Sequence, residues 1–243
     1  MEFYIIMEFF TLIGFIILYS LIQSVFGIGL LVFGTPTMLL MGYSYTETLW
    51  ILIPPSLALS LSQIQLSKKQ IESKKDIYMC TILPLVICLI LITQIDYLID
   101  IKKIVGLFLL LIVFLRTNKY SEKLIRAIVG NYRRLSLIII GAIHGLSNLG
   151  GGPLSAMMSM IHSDKETIKV NIAFVYFILA FSQLTFLFVI DGFLINYSTM
   201  IFIITALGIN FAFGKRITES INKGIYNILI NIIALFFAII CWL

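Results

Sequence analysis

The sequence predicts an all-α membrane protein made of two inverted repeats, each a Gly-broken re-entrant helical hairpin followed by three transmembrane helices. Three observations carry that prediction. First, the 243 residues are 60% hydrophobic and 12% charged, where a soluble domain carries about 25% charge. Second, the apolar residues gather in stretches at 9–41, 47–66, 77–95, 104–115, 135–161, 167–190, 193–213 and 224–242, most of them near the ~20 residues that span a hydrocarbon core. Third, two of these stretches are interrupted, by Gly27-Ile28-Gly29 with Gly34-Thr35-Pro36 and by Asn148-Leu149-Gly150-Gly151-Gly152-Pro153. Freed backbone groups cannot bond to lipid, so broken helices at membrane depth are tolerated only where protein buries them or a wet cavity receives them. Matched breaks in two halves point to a solute site between them.

The composition leaves room for one polytopic membrane domain over residues 1–243. Repeat 1 takes about 1–116, a linker about 117–134, and repeat 2 about 135–243. The net charge of +5 does not imply nucleic acid, because the basic residues lie in short loops and read as the positive-inside bias. Cys80, Cys88 and Cys241 all lie in apolar segments without metal spacing, so they read as small buried hydrophobes. No metal and no cofactor is expected. The N-terminus carries Glu2 and Glu8 in place of the basic region of a cleaved signal, so the first apolar segment is expected to stay.

Taken in order, residues 9–41 form the first hairpin, entering and leaving on the outer side with Glu2, Glu8 and Glu47 there. Residues 3–26 alone are also long enough to span, which leaves a simple span open. Stretches 47–66 and 77–95 are full spans. The short stretch 104–115 borrows flanking residues such as Ile101. The polar segment 116–134 holds Arg116, Lys119, Lys123, Arg126, Arg133 and Arg134. Residues 135–147 and 153–162 make two half-helices of about 15–20 Å, each reaching the midplane. Stretches 167–190, 193–213 and 224–242 complete the second half.

Charge decides between this arrangement and eight simple spans. Eight spans divide the lysines and arginines almost evenly between the two sides. A re-entrant 135–161 leaves only Lys102 and Lys103 outside, as the positive-inside rule favours. Loops 67–76, 116–134 and 214–223 are then cytoplasmic. The halves also echo each other: Glu47-Thr48-Leu49 resembles Glu166-Thr167-Ile168, and Ser62-Gln63 resembles Ser182-Gln183.

Thr35-Pro36 and Gly152-Pro153 read as N-cap plus first helical residue, so each returning half-helix would start near the midplane. Its bare N–H groups and positive dipole end would favour an anion, and glycines let one approach. No Lys or Arg stands mid-stretch, so dipoles, hydroxyls and amides must hold it. The candidate ligands are the backbone at Gly27, Gly29, Gly150, Gly151 and Gly152, with Gln23, Ser24, Ser147, Asn148, Gln63 and Gln183 around it. Ser60, Ser62, Ser155 and Ser182 are nearby hydroxyls for which interhelical packing is the plainer reading. His144 is either a hydrogen-bonded structural residue or a proton-coupled or anion-contacting group. His162, Asp191 and Glu166 flank helices and read as solvated. Met157, Met158 and Met160 read as core. Tyr43, Tyr45, Tyr97 and Tyr197 read as interfacial belt residues.

At these residues the chain resembles the sulfite exporter TauE/SafE family of anion permeases. The family signature is roughly G-x-x-G-x-G-G-G followed after four residues by Pro, and it occurs twice. The second copy here is Gly145-Leu146-Ser147-Asn148-Leu149-Gly150-Gly151-Gly152, with Asn148 in place of Gly and Met157 in place of Pro. The first is Ser24-Val25-Phe26-Gly27-Ile28-Gly29-Leu30-Leu31, with two leucines for glycines and Pro36 in place. The resemblance implies a multi-pass secondary transporter of the bacterial cytoplasmic membrane, moving small sulfur-containing anions such as sulfite and organosulfonates by alternating access. Its expected partners are a small anionic solute and the lipid bilayer, not nucleic acid, with a homo-oligomer allowed. Two other classes stay open. Ser147 and His144 lie three apart and hint at an intramembrane hydrolase, although no G-x-S-x-G or carboxylate partner occurs. A membrane partner subunit without transport of its own, or a channel, would need no saturable site.

Overall fold

A computed structural model of the chain describes residues 2–71, 74–95, 99–118, 131–220 and 223–243. Among them all regular structure is helical. The helices are α1 (Glu2–Phe26), α2 (Leu30–Leu40), α3 (Tyr45–Leu66), α4 (Lys74–Ile95), α5 (Ile101–Thr117), α6 (Arg133–Ser147), α7 (Gly151–Ile161), α8 (Lys165–Asp191), α9 (Tyr197–Ser220) and α10 (Lys223–Ile240). Five segments are long and apolar enough to cross a membrane: Ile6–Phe26, Tyr45–Leu66, Lys74–Ile95, Lys165–Asp191 and Tyr197–Gly214. Ile101 does open α5, as its short apolar core requires. Lys119, Lys123, Arg126, Tyr97 and most of the expected linker lie outside the described residues.

The two broken segments are helix pairs, α1–α2 and α6–α7. Their arms are unequal. α1 has 25 residues and α2 has 11, about 37 Å against about 16 Å. α6 has 15 and α7 has 11. The N-cap reading of the two prolines is wrong. α2 opens at Leu30 with Gly29 as N-cap, which puts Pro36 inside the helix. α7 opens at Gly151 with Gly150 as N-cap, so Pro153 is its third residue. The third position still tolerates proline, because its N–H has no partner in the helix. Pro36 is different: it leaves the Val32 carbonyl without its helical donor and weakens the middle of α2.

Polar contacts define two ends. At one end Lys69 pairs with Asp164 at 3.2 Å, Arg134 pairs with Asp76 at 3.0 Å, and Ser67 donates to Glu166. The start of α6, the end of α7 and the turn after α3 therefore share that end. Asp164 also caps α8, accepting from the Thr167 N–H and hydroxyl. Those two bonds, with Lys69 beside them, hold its carboxyl down at about 2. At the opposite end of α3, Ser44 and Glu47 form a capping box, Trp50 donates to Asp191 at 3.0 Å, and Tyr43 donates to Glu8. Burial and the carboxylate beside it push the Tyr43 phenol up. The Glu-Thr echo is therefore one residue out of register: Glu47 is third after its cap, whereas Thr167 holds that place in α8.

Helix contacts follow an exchange pattern. α4 packs on α6 and α9 on α1; α9 packs on α3 and α4 on α8; α2 packs on α3 and α7 on α8. α3 meets α8, α5 meets α10, and α2 meets α7. Swapping the first five helices for the last five turns each of these pairs into another, or into itself. Association in lipid depends on close packing by small residues rather than on a hydrophobic driving force. α6 supplies this with Gly141 and Gly145, where a Cβ would run into the Thr81 and Leu85 carbonyls of α4. In α1 the corresponding residue Ser24 lies against Gly214 of α9. Large apolar side chains such as Phe10, Met79, Leu83, Val189 and Ile204 are exposed around the outside, as a lipid-facing belt requires.

Candidate functional site: the adjoining helix breaks

Both breaks end their first helix in the same way. α1 ends in a left-handed residue, Gly27 (φ 75°), whose N–H donates to the Gln23 carbonyl at 2.8 Å. α6 ends in Asn148 (φ 62°), whose N–H donates to the His144 carbonyl at 2.8 Å. Asn148 is the one described non-glycine residue at positive φ. Asparagine tolerates this conformation better than other L-residues because its short polar side chain bonds locally. Gln23 and His144 therefore hold equivalent places, four residues before each turn.

The two breaks meet at the centre. Asn148 Nδ2 donates to Thr35 Oγ1 on α2 at 2.9 Å, across 113 residues of sequence. A Cβ on Gly151 would collide with the Tyr176 hydroxyl and lie 2.9 Å from Val32 on α2. A Cβ on Gly152 would lie 2.5 Å from Ile112 of α5, and one on Gly150 2.7 Å from His144. Gly29 has the Tyr19 carbonyl and the Gln23 nitrogen each 2.5 Å from where its Cβ would be.

Around the first break, Gln23 Oε1 accepts the Leu30 N–H at 3.2 Å, while its amide reaches Ser56 and Ser60. Gln63 Nε2 donates to the Gln23 carbonyl at 2.9 Å. Around the second, His144 Nε2 meets Gln183 Oε1 at 3.2 Å and the His144 ring packs edge-on to Tyr176. The predicted matching glutamines thus bind matching positions, Gln63 at Gln23 and Gln183 at His144. Ser147 bonds locally: its hydroxyl donates to the Ile143 carbonyl at 2.7 Å and accepts the Leu149 N–H of the break at 3.4 Å. The Ser147 hydroxyl and the His144 ring thus have separate partners, Ile143 and Gln183.

Gln23, Ser24, Gln63, His144, Ser147, Asn148 and Gln183 are all buried. Several of their polar atoms have no protein partner: Ser24 Oγ, Gln63 Oε1, His144 Nδ1, Asn148 Oδ1 and Gln183 Nε2. Buried polar atoms are nearly always paired, so this cluster is what makes the adjoining breaks the candidate site. Sequence reasoning missed Ser56, Tyr176 and Lys169. Ser56 sits in an apolar helix with nothing to mark it, but it lies one turn before the predicted Ser60. Tyr45, expected at the interface, is fully buried with its hydroxyl on the Gly145 carbonyl. Lys169, grouped by sequence with the loop cations, folds back so that its ammonium donates to the Ser24 carbonyl at 3.1 Å. That carbonyl lies in the last turn of α1, where the helix dipole favours a cation.

A sequence model described as Sulfite exporter TauE/SafE matches residues 11–240. No curated protein and no solved structure matches the chain.

Proposed function

Because the chain belongs to the sulfite exporter TauE/SafE family, a family of membrane transporters, we propose that it carries a small sulfur oxyanion, such as sulfite or an organosulfonate, by alternating access. The anion binds between the two breaks, against the first-turn amides of α7 at Gly150 and Gly151 and those beyond Gly27 and Gly29; the Gly152 N–H, a candidate from the sequence, is already donated to the Leu149 carbonyl at 3.2 Å. Asn148, Gln183 and His144 complete its shell. The observation that carries this reading is the Asn148–Thr35 bond, which joins the two breaks amid buried polar atoms that have no protein partner. Gln23 is occupied as the cap of α2, so its part is to hold the first break in shape.

The exchange pattern of helix contacts supports two inverted repeats. The ion pairs Lys69–Asp164 and Arg134–Asp76 support a re-entrant α6–α7 that enters and leaves at the cytoplasmic end of a bacterial cell membrane. The Tyr43–Glu8 bond supports the same for α1–α2 at the outer end. Rocking of one repeat against the other would then expose the centre to each side in turn.

The test is flux into proteoliposomes of purified protein for sulfite, thiosulfate, methanesulfonate and acetate, with a thermal-shift screen of the same solutes. We expect saturable movement and a thermal shift for at least one sulfur oxyanion and neither for acetate. Unsaturated flux would indicate a channel. Absence of any shift and any flux would leave a partner subunit as the reading.

A further inference from the structure

The two halves differ at one chemically decisive position. Where the first break has Gln23, the second has His144. Among the described residues the buried polar set holds no Asp, Glu, Lys or Arg, and His144 is its one histidine. A monoanion brought to this centre would be an unpaired charge in a low-dielectric interior, which is costly unless something neutralises it. His144 is the side chain placed to do so.

Its geometry suits the task. Nε2 faces the Gln183 carbonyl oxygen at 3.2 Å, which places the ring proton on Nε2 and a lone pair on Nδ1. Nδ1 has no protein partner, and it points toward Gly150, whose Cβ position would lie 3.1 Å away. A proton taken up at Nδ1 leaves the Gln183 bond in place, so no rearrangement is needed. The break also sets two helix ends side by side. His144 lies in the last turn of α6, the negative pole, which favours imidazolium. Gly150 caps the start of α7, the positive pole, which favours the anion.

Among the described residues the neighbours bring one other cation to the breaks, Lys169, whose ammonium is held by the Ser24 carbonyl of the first break; none stands at the second. α4 presents Thr81, Leu85 and Cys88 to α6, and α5 reaches this region through Ile112. α8 presents Tyr176 and Gln183, and Tyr45 of α3 reaches the Gly145 carbonyl. α7 has no titratable residue. The charged residues of α4 (Lys74, Lys75, Asp76), α5 (Lys102, Lys103, Arg116) and α8 (Lys165, Glu166, Asp191) stand in the first or last turns of their helices, and Lys169 one turn further in.

Building on the proposed anion site, we propose that His144 binds one proton at Nδ1 with each monoanion, so that the two cross the membrane together. The proton comes from water on the side to which the site is open and returns to water on the other. No covalent bond to the anion forms. Proton and anion binding reinforce each other reciprocally.

The test uses full-length protein in proteoliposomes loaded with the pH dye pyranine, with methanesulfonate as probe because it is anionic throughout the range used. Wild-type protein should acidify the lumen as methanesulfonate enters. An inside-alkaline gradient should concentrate the probe about tenfold per pH unit at one-to-one coupling, independent of imposed voltage. His144→Gln, which installs the side chain of the first break, should lose both the dye response and the pH-driven accumulation, and any anion entry that remains should follow only the anion's own gradient. Accumulation by His144→Gln in response to the pH gradient would overturn the proposal. So would wild-type anion entry without proton entry, a result that needs no variant and leaves the anion site standing. Absence of movement for methanesulfonate, sulfite and thiosulfate alike would overturn both readings together.

Discussion

Asn148 does two separable jobs, and substitutions can divide them. Its backbone holds a left-handed turn, and its side chain reaches Thr35. Asn148→Ala should cost about 1–2 kcal/mol of stability, the penalty of an ordinary L-residue in that region. Asn148→Gly keeps the turn and should spare most of that stability while changing transport as Thr35→Val does; thermal unfolding and flux measured side by side would check both. Gly151→Ala should be more severe, because the added methyl meets the Tyr176 hydroxyl. Tyr176→Phe in the same chain should recover part of the lost folding yield. At this scale the sequence was informative where chemistry is local. Gly27, Asn148 and His144 announce themselves by residue type at an interrupted apolar stretch. The Asn148–Thr35 and Lys169–Ser24 contacts do not, because no local rule links side chains more than a hundred residues apart.

Helix ends are where the prolines misled. A proline after glycine suggests a helix start, yet α2 begins six residues before Pro36 because Gln23 caps Leu30 from the previous helix. Capping by a side chain outside the usual N-cap position has no simple sequence signature. Asp164, in contrast, is a cap that local reading finds easily. Asp164→Ala should cost about 1 kcal/mol near neutral pH. Its carboxyl is held down at about 2 from an ordinary 3.8, so the bonds to Thr167 and Lys69 are fully present above 3.8 and are lost as pH falls toward 2. The difference in thermal stability between wild type and Asp164→Ala should narrow across that window. The α4–α6 contact makes a second prediction at this scale. Gly145→Leu should push α6 off the Leu85 carbonyl and reduce the yield of folded protein in mild detergent, while the exposed Ile138→Leu should not.

Across the molecule, the all-helical character and the positions of both breaks were legible because long apolar stretches and the glycines that interrupt them reflect the bilayer itself. Their contact at the centre was not, since packing of α2 on α7 depends on all the helices around them. Orientation has a direct check. In a background lacking Cys80, Cys88 and Cys241, Asp164→Cys should react with a membrane-impermeant maleimide only in inside-out vesicles, and Glu47→Cys only in right-side-out ones. The closed centre also has a consequence for the cell. Gly151 stands against Val32 and Asn148 is latched to Thr35, so the two breaks are packed on each other. On the proposed reading such a contact would keep an idle carrier from leaking ions, so it could be abundant without running down the gradients across its membrane. Small residues where the two short helices touch would then serve to keep the membrane tight as much as to pass cargo.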